Sequence, residues 1–120
     1  MDQTSIYITG RVIFKPTVIG FTHSTINIYL EEISYADADA ITLAHITIPN
    51  VSHAATGDTI IPFRIELSNK IEIKDTADYS VRVWVNLSSN GTAEIGDLFS
   101  DTTERVLSYG YGNQVEVIFH

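Results

Sequence analysis

The side chains that most often carry out catalysis or bind metal have no recognisable arrangement in this sequence. A zinc site needs ligands that converge, yet no two histidines stand at a His-x-His or His-x-x-x-His spacing. No serine occupies a Gly-x-Ser-x-Gly turn, and no glycine-rich phosphate loop is present. We therefore predict no catalytic residues, no metal ligands and no cofactor, in a protein that is not an enzyme. The histidines are expected at the surface: His23, His45, His53 and His120.

Carboxylates at two places leave a calcium-binding or small-ligand domain open as an alternative. Asp37 and Asp39 alternate along the chain as the ligands of calcium loops do, but the glycine turn and the distal glutamate of such loops are missing. Asp97 and Asp101 flank Leu98–Ser100, and they could face one another across a bend. Solvated loop carboxylates are the simpler expectation at both places.

Trp84, the single tryptophan, is the candidate for contact with a partner. It lies on the face of its strand opposite Val83 and Val85, and Arg82 is its neighbour on that face. Either Trp84 covers an edge of its own core, or Trp84 and Arg82 present an aromatic–cation pair outward. Tryptophan and arginine are enriched at protein interfaces. Arg82 and Trp84 are therefore the predicted partner-binding residues.

Charge and composition exclude several functions. Seven Lys and Arg residues against fifteen Asp and Glu residues give a net charge of −8, with no basic run. Binding to nucleic acid or to an anionic membrane normally depends on a basic surface, so neither is expected. The absence of cysteine excludes disulfides and thiolate sites. No apolar stretch approaches the roughly 18 residues of a membrane-spanning helix, so direct membrane insertion is not expected.

Alternation of apolar and polar residues runs along the whole chain and is typical of half-buried strands. The clearest case is Tyr79–Leu87, where every second residue is apolar. Short turns such as Asn90-Gly91 separate the runs, and short connections favour antiparallel pairing. Residues 1–120 are therefore predicted to form a single antiparallel β-sandwich domain of about seven strands, Ig-like or transthyretin-like, with little or no helix. The other predicted strands lie at 6–14, 25–30, 41–48, 61–67, 102–108 and 114–119.

Three positions predict local departures from regular pairing. Gly10 lies among inward-facing residues of the first strand, where a bulge or a bend is expected. The apolar phase slips between Leu43 and Ala44, which predicts a β-bulge in the third strand. Pro62 lies on the outward phase of the fourth strand and has no N–H, so it indicates the edge of a sheet.

Short motifs in a fixed order give the chain a family resemblance over about Ile6–Phe119. It resembles the type III secretion lipoprotein chaperones (pilotins) and related bacterial lipoproteins. That resemblance implies a β-sandwich and, as in characterised pilotins, binding of a secretin subunit to aid its outer-membrane assembly. The motifs are Gly10-Arg-Val12, Ile33-Ser34-Tyr-Ala36-Asp37-Ala38, Ile61-Pro62-Phe63, Tyr79-Ser-Val81-Arg82-Val83, Gly96-Asp97, Val106-Leu107 and Val115-Glu-Val117.

The same resemblance implies a protein partner, secretin-like or another envelope protein, and a location in the periplasm or at the outer membrane. Pilotins of that family carry a lipidated N-terminal cysteine, whereas this sequence has no cysteine and no export signal in Met1–Gly10. A trimmed leader and a soluble, cytoplasmic relative with another partner are both compatible with the sequence.

The motif residues are assigned to the scaffold. Ser34 and Asp37 can bond nearby backbone groups and shape the turn after the second strand. Gly96 beside Asp97 predicts a bulge that redirects the chain. Structural roles are expected for Gly10, Ser34, Ala36, Asp37, Pro62, Phe63, Tyr79, Gly96 and Asp97.

Overall fold

A computed structural model describes residues 6–33, 40–68 and 70–120. The described residues contain eight strands and no helix, and none of them forms a helical segment suited to crossing a membrane. The motif positions Ser34, Ala36 and Asp37, with Asp39, lie outside the described residues. The strands are β1 (Ile6–Phe14), β2 (Phe21–Ile33), β3 (Ile41–His53), β4 (Thr59–Leu67), β5 (Asp78–Asn86), β6 (Leu98–Phe99), β7 (Glu104–Val106) and β8 (Gln114–Phe119).

The strands form two sheets that enclose one core, which confirms the predicted all-β sandwich. The smaller sheet has the order β4-β1-β8, and the larger has the order β3-β2-β5, with β6 and β7 both paired to β5. The sequence-based assignment missed β6, which has only two residues. The predicted strand at 102–108 is confirmed as the shorter β7.

Period-two burial builds the core as predicted. In β2 the side chains of Ile26, Ile28 and Leu30 are fully buried, and in β5 every second residue from Tyr79 to Val85 is buried. Such residues line the inner faces of both sheets, while their neighbours point outward. The buried hydroxyl of Tyr79 accepts a hydrogen bond from the Lys74 backbone N at 2.8 Å, which gives this motif residue a structural role.

One strand pair departs from the antiparallel expectation. β1 and β8 run parallel, with Gly10 opposite Val115 and Phe14 opposite Phe119. Parallel neighbours cannot be joined by a tight turn. In the sequence, the other strands of the described residues all lie between β1 and β8. No short connection therefore joins β1 to β8, and the rule that short connections favour antiparallel pairing does not apply to this pair.

Gly10 does not form the expected bulge. It keeps regular register with Phe63 in β4 and with Val115 in β8. A Cβ atom at Gly10 would lie 2.3 Å from the Val115 carbonyl oxygen and 2.7 Å from the Phe63 ring. The glycine is needed because the β8 backbone and the Phe63 ring occupy the space of a side chain. This contact brings together residues of three motifs on which the family resemblance is based.

The other two predicted irregularities are confirmed. Leu30 pairs with Ala44 and Glu31 with Thr42, so Leu43 is the extra residue of a bulge in β3. Pro62 is exposed on β4, which is an edge strand of the smaller sheet.

The expectation of surface histidines is wrong for His53. Its side chain is buried at the end of β3 and packs near Phe14 and Phe21. The Nε2 atom lies 3.1 Å from the Lys15 carbonyl oxygen, which can only accept, so Nε2 donates; Nδ1 shares a 2.7 Å hydrogen bond with the Thr59 hydroxyl. His53 thereby ties the edge of the larger sheet to the start of β4.

The Gly10 contact predicts a large loss of stability on substitution with alanine. We expect Gly10→Ala to lower the free energy of unfolding by about 2 kcal/mol or more, because the Val115 backbone cannot move away without disturbing β8. Urea denaturation measures the difference. Gly57→Ala is the control, since a Cβ there meets nothing within 4 Å; equal stability of the two variants would contradict the packing explanation.

Candidate functional site

Cross-strand register arranges the outer face of the larger sheet in two rows. Tyr29 of β2 lies between His45 of β3 and Arg82 of β5. Asn27 lies between Thr47 and Trp84, and Trp84 lies opposite Phe99 of β6. Directly opposed residues on one face have Cβ atoms about 5 Å apart, so each row is a line of touching side chains. We call Tyr29, His45, Trp84 and Phe99 the aromatic face.

The first row is held by stacking and an ion pair. The rings of His45 and Tyr29 stack with centroids 4.3 Å apart and an interplanar angle of 11°. The Arg82 guanidinium covers the Tyr29 ring at 4.2 Å, and its Nε and Nη2 donate to the Glu31 carboxylate at 3.0 and 3.2 Å. Arg82 and Trp84 share the outer face as predicted, but the aromatic partner of Arg82 is Tyr29.

The second row centres on Trp84. Its indole ring lies nearly parallel to the Phe99 ring, with an angle of 5° and centroids 6.3 Å apart. The indole Nε1 donates to Asp97 Oδ2 at 2.9 Å. Half of the Phe99 side chain is exposed, and Trp84 is partly exposed. The sequence predicts Trp84 as a partner-binding residue but not Phe99, because the two-residue β6 is too short to show alternation.

A depression of about 520 Å³ opens between β3, β2 and β5 on this face. Asn27 forms its floor and is only 7% exposed. The amide oxygen of Asn27 is 3.1 Å from His45 Nε2 and 3.3 Å from the Thr47 hydroxyl. Tyr29, His45 and Trp84 are among the residues that line the depression. Asn27, Tyr29 and His45 were not predicted as site residues, although their outward phase was visible in the alternation.

Asp97 organises the loop that supports Trp84. Oδ2 accepts hydrogen bonds from the Trp84 indole, the Asn86 amide and the Glu94 backbone N, and Oδ1 accepts one from the Leu87 backbone N, all at 2.9–3.1 Å. Burial by itself raises the pKa of the Asp97 carboxyl, but these hydrogen bonds outweigh it and hold the pKa below its ordinary value. Asp97, a residue assigned to the scaffold from the sequence, therefore also holds Trp84 of the aromatic face through its indole N–H.

The chain redirects before β6 by a turn and not by the bulge expected at Gly96. Gly96 has φ +100°, a conformation that favours glycine. The protein donors around Asp97 take the place that a cation would need, and Asp101 does not join it in a cluster. Among the described residues, no three His, Asp or Glu side chains converge on a possible metal position.

A second feature is the free side of β8. In the β1–β8 ladder, Thr9 N donates to Asn113 O and Lys15 N to Phe119 O, both at 3.0 Å. In a parallel strand, the N–H and C=O groups of every second residue bond to the same neighbouring strand. Gln114, Glu116 and Ile118 therefore direct their N–H and C=O groups away from β1. No strand of the described residues pairs with this side. We call Gln114–Phe119 the open edge.

The other sheet edges are protected against strand addition, and the open edge is not. β3 carries the Leu43 bulge and Pro49, β4 carries Pro62, and β6 and β7 have two and three residues. Bulges, proline and short strands all hinder pairing with a further strand. β8 has no proline, lysine or bulge over its six residues.

Two packed, largely antiparallel sheets with an aromatic outer face define the β-sandwich. A solved structure with this fold is described as an alternative pilotin from the type II secretion system of Vibrio cholerae. The two structures match with a TM-score of 0.67 and 20% sequence identity, over 98% of this chain and 99% of that one. The sequence resemblance to pilotins is thus confirmed at the level of the fold, although the motifs had indicated the type III system.

No protein-family model matches the chain, and no curated protein matches it either.

Asp97 predicts a pH-dependent contribution to stability. Asp97→Asn should cost about 1–3 kcal/mol near neutral pH, because an amide nitrogen cannot accept the hydrogen bonds that the carboxylate accepts. Since the folded-state pKa is lowered, the carboxylate's contribution is complete above about pH 4 and is lost as the pH falls through the folded-state pKa.

Urea denaturation of both proteins across this range measures the effect. The stability difference should be constant from about pH 7 to about pH 5 and shrink below about pH 4. Asp101→Asn, at an exposed position, serves as the control and should show no such difference. A difference that does not change with pH would contradict the role given to the Asp97 charge.

Proposed function

We propose that this chain is a non-catalytic, pilotin-like binding domain that captures an extended segment of a protein partner, such as a secretin subunit, at the open edge of β8. The observation that carries the proposal is the unprotected row of backbone groups at Gln114, Glu116 and Ile118. The pilotin fold of the Vibrio cholerae protein supports the choice of partner class. A role in assembling an envelope complex and a location in the envelope follow from that choice.

Strand addition at this edge would extend the smaller sheet to four strands. The partner's backbone would pair with the N–H and C=O groups of the open edge, and main-chain hydrogen bonds of this kind provide affinity with little demand on sequence. A cleft of about 410 Å³ lies beside the end of β8 and is lined in part by Leu98, Phe99 and Phe119. Alternate apolar side chains of the partner segment would fill this cleft, which supplies specificity.

Charge supports a basic partner segment. The net charge of −8 attracts Lys and Arg side chains and speeds their encounter with the domain, while it repels nucleic acid. The same charge opposes pairing of two copies of the chain edge to edge. A segment that alternates apolar residues with some Lys or Arg is therefore the expected ligand.

The open edge is a better capture site than the Arg82–Trp84 pair predicted from the sequence. Arg82 is already held by Glu31 and Tyr29, and the Trp84 indole N–H is used by Asp97. A partner that used these groups would have to break existing contacts, whereas the outward backbone groups of β8 pair with no strand of the described residues. The contacts of Arg82 and Asp97 also support a non-catalytic role, because both charged groups are held by structural partners.

Direct binding to secretin tails tests the proposal. The whole chain is titrated with the purified C-terminal segment of each secretin encoded in the same genome, and a dissociation constant in the roughly micromolar range is expected for at least one. Glu116→Pro removes an outward N–H and should weaken binding at least about tenfold. Glu116→Gln keeps the N–H and is the matched control; because the Glu116 carboxylate is already paired with Arg11, binding should fall far less than in Glu116→Pro.

Two further variants separate the possible surfaces. Ile118→Lys introduces the edge lysine that β8 lacks and should also weaken binding, whereas Arg82→Ala should leave it unchanged. Thermal melting confirms that each variant is folded. Binding that survives Glu116→Pro but is lost in Arg82→Ala would move the capture site to the aromatic face, and a failure of every secretin tail to bind would reject the pilotin-like role.

A further inference from the structure

The depression on the aromatic face has a neutral lining in a strongly acidic protein. It contains no Asp, Glu, Lys or Arg side chain, although the chain as a whole has a net charge of −8. Its volume of about 520 Å³ is within the range of small-molecule sites, roughly 300–1,000 Å³. A lining of this kind has no charge with which to compensate an ionic ligand, so it favours an uncharged one.

The floor of the depression carries a hydrogen-bond donor that has no partner among the residues that the structure describes. Asn27 is 93% buried, since 7% of it is exposed, and its Oδ1 is engaged by His45 and Thr47. None of the described residues accepts a hydrogen bond from its Nδ2. Every fully buried side-chain nitrogen or oxygen among the described residues has a partner, so the unpartnered Nδ2 must be accessible to solvent. The hydrogen bonds to Oδ1 hold the amide group, and its N–H groups are accessible to a ligand in the depression.

The rim of the depression supplies acceptors that complement this donor. The Thr47 hydroxyl donates to Asn27 Oδ1 at 3.3 Å, the Thr25 hydroxyl donates to Ser89 Oγ at 2.8 Å, and Ser89 donates to the His23 carbonyl at 2.7 Å. Each hydroxyl proton is committed, so the remaining lone pairs of these oxygens can accept hydrogen bonds from a ligand. A ligand with several hydroxyl groups can both donate to the rim and accept from the floor.

Aromatic rings flank these polar groups. Trp84 stands opposite Asn27 across the strand pair, and the stacked Tyr29 and His45 rings stand on the other side. The electron-rich face of an aromatic ring attracts C–H groups that carry partial positive charge. The C–H face of a pyranose ring is such a surface, and its edge carries the hydroxyl groups that the floor and rim require.

We propose that this depression binds a neutral sugar, with Asn27 as the donor at its floor, Thr47 and Ser89 as acceptors, and Trp84 as the stacking residue. The site is separate from the open edge of β8 and does not depend on capture of a protein there. Ligands with phosphate or carboxylate groups are disfavoured because the depression offers them no cation. A peptide would need its backbone paired, and this part of the sheet face presents side chains only.

The single tryptophan gives a direct readout of the site. The whole chain is titrated with cellotetraose, maltotetraose and the trimer of N-acetylglucosamine while Trp84 emission is recorded. We expect a saturable change with at least one of them, at a dissociation constant of roughly 1 mM or below. A tetramer of galacturonic acid, which carries carboxylates, should bind at least about tenfold more weakly.

Asn27→Asp is the deciding variant because it keeps an acceptor next to Thr47 and removes the donor at the floor. It should weaken sugar binding at least about tenfold. Asn50→Asp, which makes the same change at an exposed position of β3 outside the depression, is the matched control and should bind sugar normally. Thr47→Val provides a second test at an exposed position if Asn27→Asp lowers the melting temperature.

Three results would overturn the proposal. They are the absence of any saturable change up to about 10 mM of all three neutral sugars, equal binding of the galacturonate tetramer, and sugar binding unaffected by both Asn27→Asp and Thr47→Val. Binding of secretin tails is measured separately on the same variants, so that failure of the sugar site and failure of protein capture give different results.

Discussion

The register between β2 and β5 is the constraint on which the rest of the structure depends. These strands pair without interruption from Thr25 opposite Asn86 to Ile33 opposite Asp78. The same pairing sends Ile28 and Val83 into the core and brings Asn27 beside Trp84 on the outer face. A slip of one residue would exchange core and surface on a whole strand, so core packing enforces the geometry of the aromatic face.

Asp97 extends this control from the strands to the loop beyond β5. The loop has few buried apolar residues, and its shape depends on a carboxylate that gathers donors from both of its ends. Since one of these donors is the Trp84 indole, loop conformation and ring orientation are coupled. The two candidate binding features are therefore supported differently: backbone pairing forms the open edge, whereas a local polar network orients the ring beside the depression.

Local pattern was enough to predict the long strands, the Leu43 bulge, the edge position of Pro62 and the outward direction of Trp84 and Arg82, because each depends on alternation or on one residue's backbone chemistry. Features that depend on distant partners were missed or misread. Gly10 is explained by Phe63 and Val115, and the burial of His53 by Lys15 and Thr59. Likewise Asn27 is recognisable as a floor residue only once β3 and β5 flank it.

The parallel pairing of β1 with β8 has a consequence for synthesis on the ribosome. Arg11 of β1 and Glu116 of β8 are paired although 105 residues separate them in the sequence. The second side of β1, the middle strand of the smaller sheet, therefore stays unpaired until β8 has been synthesised. Contacts this distant in sequence slow folding. During translation, β1 would expose apolar side chains and unpaired backbone N–H and C=O groups, which can pair with an incorrect strand. The smaller sheet therefore reaches its three-stranded form only after β8 has been synthesised.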